Sequence, residues 1–250
     1  MTQHTLFVAW QDQARSRRWF PIGRLDVEEP GPLYRFRYTR GASQAHDLAG
    51  FAPLPDFPQF QRRYEASELF PLFQNRVMGA TRPDFDEYLK QLGLGPDHQN
   101  PLEILSVSGG RRITDELEVF PKLQRQPDGS FQCRFFLHGA SHTSAAAQER
   151  LKELTAGDRL TVALELTNPE TGFAVQIQSA DYFMLGWAPR YLVADLARAI
   201  AASPRKFEAN VVRLNPSPAP SRQRLLVEFR GFWPADREPM STEEFAPLVA

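Results

Sequence analysis

Phe135-Phe136-Leu137-His138-Gly139 opens the stretch that decides the fold. Gly157-Asp158-Arg159-Leu160, Leu166-Thr167-Asn168-Pro169 and Phe173-Ala174-Val175-Gln176-Ile177 follow it, and Leu185-Gly186-Trp187-Ala188-Pro189-Arg190-Tyr191-Leu192 closes it. Short apolar runs ended by Gly, Asn-Pro or Ala-Pro read as strands bounded by turns. Leu160 to Leu166, Phe173 to Gln178 and Tyr182 to Trp187 are therefore expected strands. The chain then enters a helix from Pro189 to Ala202, where Leu192, Leu196 and Ile200 recur every four residues. Upstream, Ser130 to Leu137 reads as a strand and Ala145 to Leu154 as a helix with Leu151 and Leu154 inward. Downstream, Phe207 to Leu214 and Arg224 to Phe232 are expected strands around the Pro-rich loop Asn215 to Pro220. Short strands in a small mixed domain suit a partly open barrel.

The first half is β-rich with two or three short helices. Leu6 to Trp10 and Trp19 to Leu25 read as strands joined by the basic loop Gln11 to Arg18. In Leu33 to Tyr38, Tyr34, Phe36 and Tyr38 share one face and Arg35 and Arg37 the other, an expected exposed basic face. Arg40 to Ala49 reads as polar loop, and Pro53, Pro55 and Pro58 predict an irregular segment. An apolar element is expected from Ser67 to Met78 and a helix from Arg82 to Leu92, ended by Gly93. A second helix starts at Asn100-Pro101 and stops at Gly109-Gly110. Asp115 to Leu123 reads as a strand, and Gln126-Pro127-Asp128-Gly129 as a turn. The fold class is thus α+β. The expected limits are an N-terminal domain over 1–122, a barrel domain over 123–235 and a surface tail over 236–250.

Composition is that of a globular chain: of 250 residues, 42% are hydrophobic and 24% charged. At this length a chain buries roughly 70–75% of its unfolded surface and needs no metal or disulfide staple. With Cys133 its one cysteine, the chain can form no intrachain disulfide and no zinc site of clustered cysteines. A net charge of −1 gives no global field toward nucleic acid, so any basic surface is local. No signal peptide or membrane-length apolar run is visible, which makes a cytoplasmic protein the expectation.

No set of catalytic residues emerges. Ser108-Gly109-Gly110-Arg111 is too short for a phosphate loop, and no Gly-x-Ser-x-Gly elbow occurs. Among the histidines only His138 and His142 have a spacing that a shared ligand could use, and no partner carboxylates can be assigned. Cys133 reads as a core residue. The chain is expected to be non-catalytic, with no cofactor and no metal. For binding, Tyr182, Trp187 and Tyr191 are candidate stacking residues, with Arg190 as a cation beside them. Six basic residues lie between Arg205 and Arg230 (among them Arg213, Arg222 and Arg224) against Glu208 and Glu228. This region reads either as a basic groove or as a solvated strand face.

From Phe135 to about Trp233 the chain resembles the HIRAN domain. The likeness rests on Phe136 to Gly139, Leu154-Thr155-Ala156-Gly157-Asp158-Arg159-Leu160, Asn168-Pro169 with Phe173-Ala174-Val175, and Leu185 to Leu192. The resemblance implies a barrel related to the OB architecture and binding of DNA, single-stranded or at free 3′ ends. Such domains occur in helicase-type and repair proteins and in stand-alone bacterial proteins. The family's pocket uses an Arg-Tyr pair after the first strand's Gly and a Tyr-Asp pair after Asn-Pro. Those positions are Ser141 and His142, and Glu170 and Thr171, here; both pairs depart from the pattern. Tyrosine would stack on a terminal base and arginine would hold a phosphate. His142 can still stack, Ser141 and Thr171 can hydrogen-bond, and Glu170 brings negative charge. Asn168 is retained, as a ligand-facing residue or as a turn residue. The alternative is a protein-interaction module with a degenerate pocket.

Leu33 to Tyr38, Phe51-Ala52-Pro53-Leu54-Pro55 and Leu69 to Asn75 resemble the N-terminal subdomain of HipA-type kinases. That resemblance implies an interaction module and a protein partner, since no kinase portion follows.

Overall fold

The computed structural model describes residues 2–29, 32–112 and 114–249. The chain forms two compact units. One comprises Met1–Phe85, His98–Lys122 and Met240–Ala250; the other comprises Asp86–Asp97 and Leu123–Pro239. The class is α+β with two antiparallel sheets.

Unit 1 contains β1 (Thr2–Gln11), β2 (Trp19–Glu29), β3 (Leu33–Tyr38), α1 (Arg40–Ala49), β4 (Tyr64–Ala66) and α2 (Pro71–Gln74). The chain passes through α3 (Phe85–Gln91), then returns as α4 (Pro101–Ser108) and β5 (Leu117–Pro121). Its sheet runs β4-β3-β2-β1-β5. Alternation puts Leu6, Val8, Ile22, Leu25, Phe36 and Tyr38 in one core with Phe57, Phe73, Leu102 and Leu105. Asn100 caps α4 as the sequence predicts, its side chain accepting from the Leu102 amide at 2.9 Å.

Three readings of unit 1 are corrected. Arg40 to Ala49 is a helix, not a loop. Its buried face is made of Gly41, Ala42 and Ala45, which carry no apolar signal. A Cβ on Gly41 would lie 2.1 Å from the Pro21 carbonyl oxygen, so only glycine lets α1 sit this close to β2. The arginine face of β3 is not an open basic surface either. Arg37 pairs with Asp26, and Arg35 with Glu28 and Glu65. Nor is the end of the chain a surface tail. Phe245 is buried with its ring 4.9 Å from that of Phe7. The Arg40 amide donates to Ala246 and the Leu248 amide to Tyr38.

Unit 2 contains β6 (Ser130–Phe136), α5 (Ala145–Lys152), β7 (Arg159–Asn168), β8 (Gly172–Gln178), β9 (Met184–Trp187), α6 (Arg190–Ala202), β10 (Glu208–Leu214) and β11 (Leu225–Phe232). Its sheet runs β6-β11-β10-β7-β8-β9. The expected helices α5 and α6 bury Leu151, and Leu192, Leu196 and Ile200. The expected partly open barrel is met in part: the six strands form one antiparallel sheet and no closed barrel. Gly139, at φ +70°, turns the chain away after β6, and β9 is four residues long. Among the described residues, the chain just past β6 meets β9 at the bridge of His138 and Trp187, through hydrogen bonds of 2.9 and 3.0 Å. From Asp86 onward, α3 belongs to this unit, across the expected limit at Lys122. Leu89 and Leu92 are buried, and Asn215 donates to the Gln91 carbonyl at 2.8 Å. No helix among the described residues is long and apolar enough to cross a membrane.

Candidate nucleic-acid interface

Two glycines set the geometry where β6 runs out against β9. A Cβ on Gly139 would lie 2.6 Å from the Trp187 ring, and one on Gly186 would lie 2.7 Å from the His138 carbonyl oxygen. The indole therefore packs closely against the Gly139 backbone. Its Nε1 donates to Glu165 Oε2 at 2.7 Å. The same oxygen accepts from Asn168 Nδ2 at 3.0 Å. Asn168 is buried, and its Oδ1 accepts from the amides of Glu170 and Thr171 at 3.1 Å each. Thr171 Oγ1 lies 3.0 Å from both Asn168 Oδ1 and the Phe173 carbonyl. At the start of α6, Arg190 Nη2 donates to the Glu170 carbonyl at 3.4 Å. Trp187, Glu165, Asn168, Glu170, Thr171 and Arg190 are thus one hydrogen-bonded chain.

Ser141 and His142 sit in a tight turn that starts one residue after Gly139. Both are exposed. The Ser141 carbonyl accepts from Gln148 Nε2 at 3.3 Å. The Ser221–Gln223 turn is their neighbour, with Cα atoms within 8 Å. The Tyr191 ring stands edge-on to that of His138, centroids 6.4 Å apart. Of the sequence candidates, the structure therefore brings together Asn168, Glu170, Thr171, Trp187 and Arg190. Arg213 and Arg224 lie outside this chain of hydrogen bonds: Arg213 Nε donates to Asn215 Oδ1 at 3.0 Å and Arg224 Nη2 to the Ala219 carbonyl at 3.1 Å. Both hold the Asn215 to Pro220 loop. Tyr182 is 73% exposed at the β8–β9 turn.

Glu165 is the residue that the sequence candidates lack. It lies in an apolar strand, where a single acid looks solvent-facing. The signal was available in Trp187, because a partly buried indole N–H needs an acceptor. Burial pushes the Glu165 carboxyl up, but hydrogen bonds from Trp187, Asn168 and Gln176 outweigh it and hold the group below the ordinary range. The site is therefore anionic at Glu165 and Glu170, with Arg190 the cation in the chain. It offers hydrogen-bonding groups at Ser141 and Thr171 and an exposed imidazole at His142. Cys133 is buried, and that burial pushes its thiol up to about 12.

No family model matches this chain and no curated protein matches it. Among solved structures, "Crystal structure of HIRAN domain of human HLTF" is similar at 13% identity over 44% of this chain and 85% of that chain. Its TM-score is 0.32, too low to establish a shared fold. None of these comparisons bears on the HipA-type likeness of the first half.

Proposed function

We propose that unit 2 is a HIRAN-type module that binds DNA, single-stranded or at its ends, without catalysis and in the service of repair or replication in the cytoplasm. One observation carries this reading. The separate pieces of sequence that resemble the family, around Gly139, Asn168 and Gly186 to Arg190, meet in a single connected patch. Scattered similarity would have no reason to converge. Fluorescence anisotropy with single-stranded and duplex oligonucleotides tests it. Salt-sensitive binding is expected, with preference for a free single-stranded end. Arg190→Ala should reduce the salt slope by about 0.7, the share of one phosphate contact on a single strand. Absence of salt-sensitive binding at low ionic strength would overturn the reading.

The second reading is a protein-interaction module with a degenerate pocket. It is favoured by Glu165 and Glu170 in the patch. Co-purification of a specific protein without nucleic acid would select it.

A further inference from the structure

The strand β7 is the longest in unit 2, and it is paired along both sides for only part of its length. On one side β10 begins at Glu208, so its ladder with β7 covers Arg159 and Leu160 and stops there. On the other side β8 pairs from Thr161 to Glu165, and a bulge before Asn168 then breaks that ladder. Among the described residues, no strand lies beside Val162 to Leu166 on the β10 side. That side is a strand edge whose outward N–H and C=O groups have no ladder partner.

Sheet edges are ordinarily guarded by charge, proline or a covering element. This one is poorly guarded. Val162 to Leu166 holds no Pro, Lys or Arg. Its one acid, Glu165, is drawn away from the edge, because its carboxylate accepts from Trp187 on β9, two strands further in. Leu164 is 41% exposed and Leu166 73%. Leu164 lies opposite Val175, and Val162 opposite Ile177, so these four share one face. Val175 and Ile177 are fully buried. The cover over that apolar face therefore ends at β8 and leaves β7 open.

We propose that this edge binds a second copy of the chain, the two β7 strands pairing antiparallel about a two-fold axis at Leu164. Unpaired edge groups are satisfied by extended backbone, and a second β7 satisfies them with the same surface on both copies. The limits of the free edge fix the register. Leu160 is held by β10 at one end and the bulge follows Leu166 at the other, which makes Leu164 the centre. Leu164 then faces its own copy, and Val162 faces Leu166 of the partner subunit. Ala163 faces Glu165 of the partner subunit, so no like charges stand opposite. Centring one residue later would set the two Glu165 side chains against each other. Centring one residue earlier would set Leu166 against Leu160, whose edge is taken. The pairing extends the buried apolar face across both copies and does not rest on the nucleic-acid reading.

The test is sedimentation equilibrium of the full chain, with two kinds of variant. The unaltered chain should show a concentration-dependent dimer. Leu164→Lys, at an exposed position, should keep its circular dichroism and weaken the dimer by about 100-fold, through lost apolar contact and two charges brought together. Leu164→Cys should cross-link to its own copy under mild oxidation, since directly opposite Cα atoms lie roughly 4.5–5.5 Å apart, within disulfide reach. Leu166→Cys should not cross-link to itself, because the register separates the two copies by about 13 Å. The native Cys133 is buried and does not compete. A chain that stays monomeric overturns the proposal, and binding of an extended Val/Leu-alternating peptide by that monomer would assign the edge to a different protein. A dimer that survives Leu164→Lys, or that cross-links through Leu166→Cys and not Leu164→Cys, also overturns it.

Discussion

Asp26 in unit 1 and Glu165 in unit 2 are both carboxylates held below the ordinary range against the effect of their own burial, and they get there by different means. On β2, the 2%-exposed side chain of Asp26 is gripped by full charges. Arg24 approaches to 2.8 Å, Arg37 to 2.8 Å and the Thr5 hydroxyl to 2.7 Å, so neighbouring strands on both sides are tied to it. Glu165 is held by neutral donors, the Trp187 indole, Asn168 and Gln176. The difference separates architecture from site. Asp26 pairs with two arginines, and Glu28 and Glu65 pair with the third, so every arginine of that face has an acid partner. Glu165 fixes the two side chains that shape the unit 2 patch and stays a net negative charge beside it.

That contrast can be broken in three places, from the largest effect down. Asp26→Ala leaves two mostly buried guanidinium groups facing each other and should lower stability by about 3 kcal/mol. Urea denaturation measures it, and a loss below ~1 kcal/mol would make the pair an ordinary surface bridge. Gly186→Ala puts a methyl group 2.7 Å from the His138 carbonyl at φ +151° and should cost about 2 kcal/mol, with the Trp187 fluorescence shifted as the bridge opens. A neutral result would mean that the chain shifts freely there.

The third and smallest effect is titration. Both carboxyls have folded pKa values below their unfolded ones. Each therefore contributes stability that is complete above about pH 5, past the unfolded values, and is lost as pH falls through the folded value. In thermal melts from neutral to acid pH, Asp26→Asn should flatten the acid limb clearly and Glu165→Gln slightly, by about 1 kcal/mol or less. Equal flattening by the two would erase the contrast.

Much of the fold was legible because its elements carry strong periodicity. Phe36 and Tyr38 alternate on β3, Leu192, Leu196 and Ile200 repeat on α6, and Asn100-Pro101 opens α4. The helix α1 was illegible because its buried face is glycine and alanine, whose value lies in close approach rather than in hydrophobicity. In the candidate site, Asn168, Trp187 and Arg190 could be named from the order of short pieces. Glu165 could not, since its role depends on an indole 22 positions away in sequence. Arg213 and Arg224 show their charge in the sequence, but not the asparagine and the loop carbonyl to which each donates.

The sequence by itself determined most of the strands and helices, α1 excepted, and where glycine, Asn-Pro and Pro-rich turns interrupt them. Those are local properties of backbone and side-chain period. Only the tertiary structure decided which sheet each segment joins. It sent Asp86–Asp97 to unit 2 and brought Met240–Ala250 back to unit 1, because partners are chosen by fit between faces and not by position along the chain. It also decided which charges remain available. Asp26 pairs with Arg24 and Arg37, and Glu28 and Glu65 pair with Arg35, so the basic face that alternation predicts on β3 is matched by acids from the neighbouring strands.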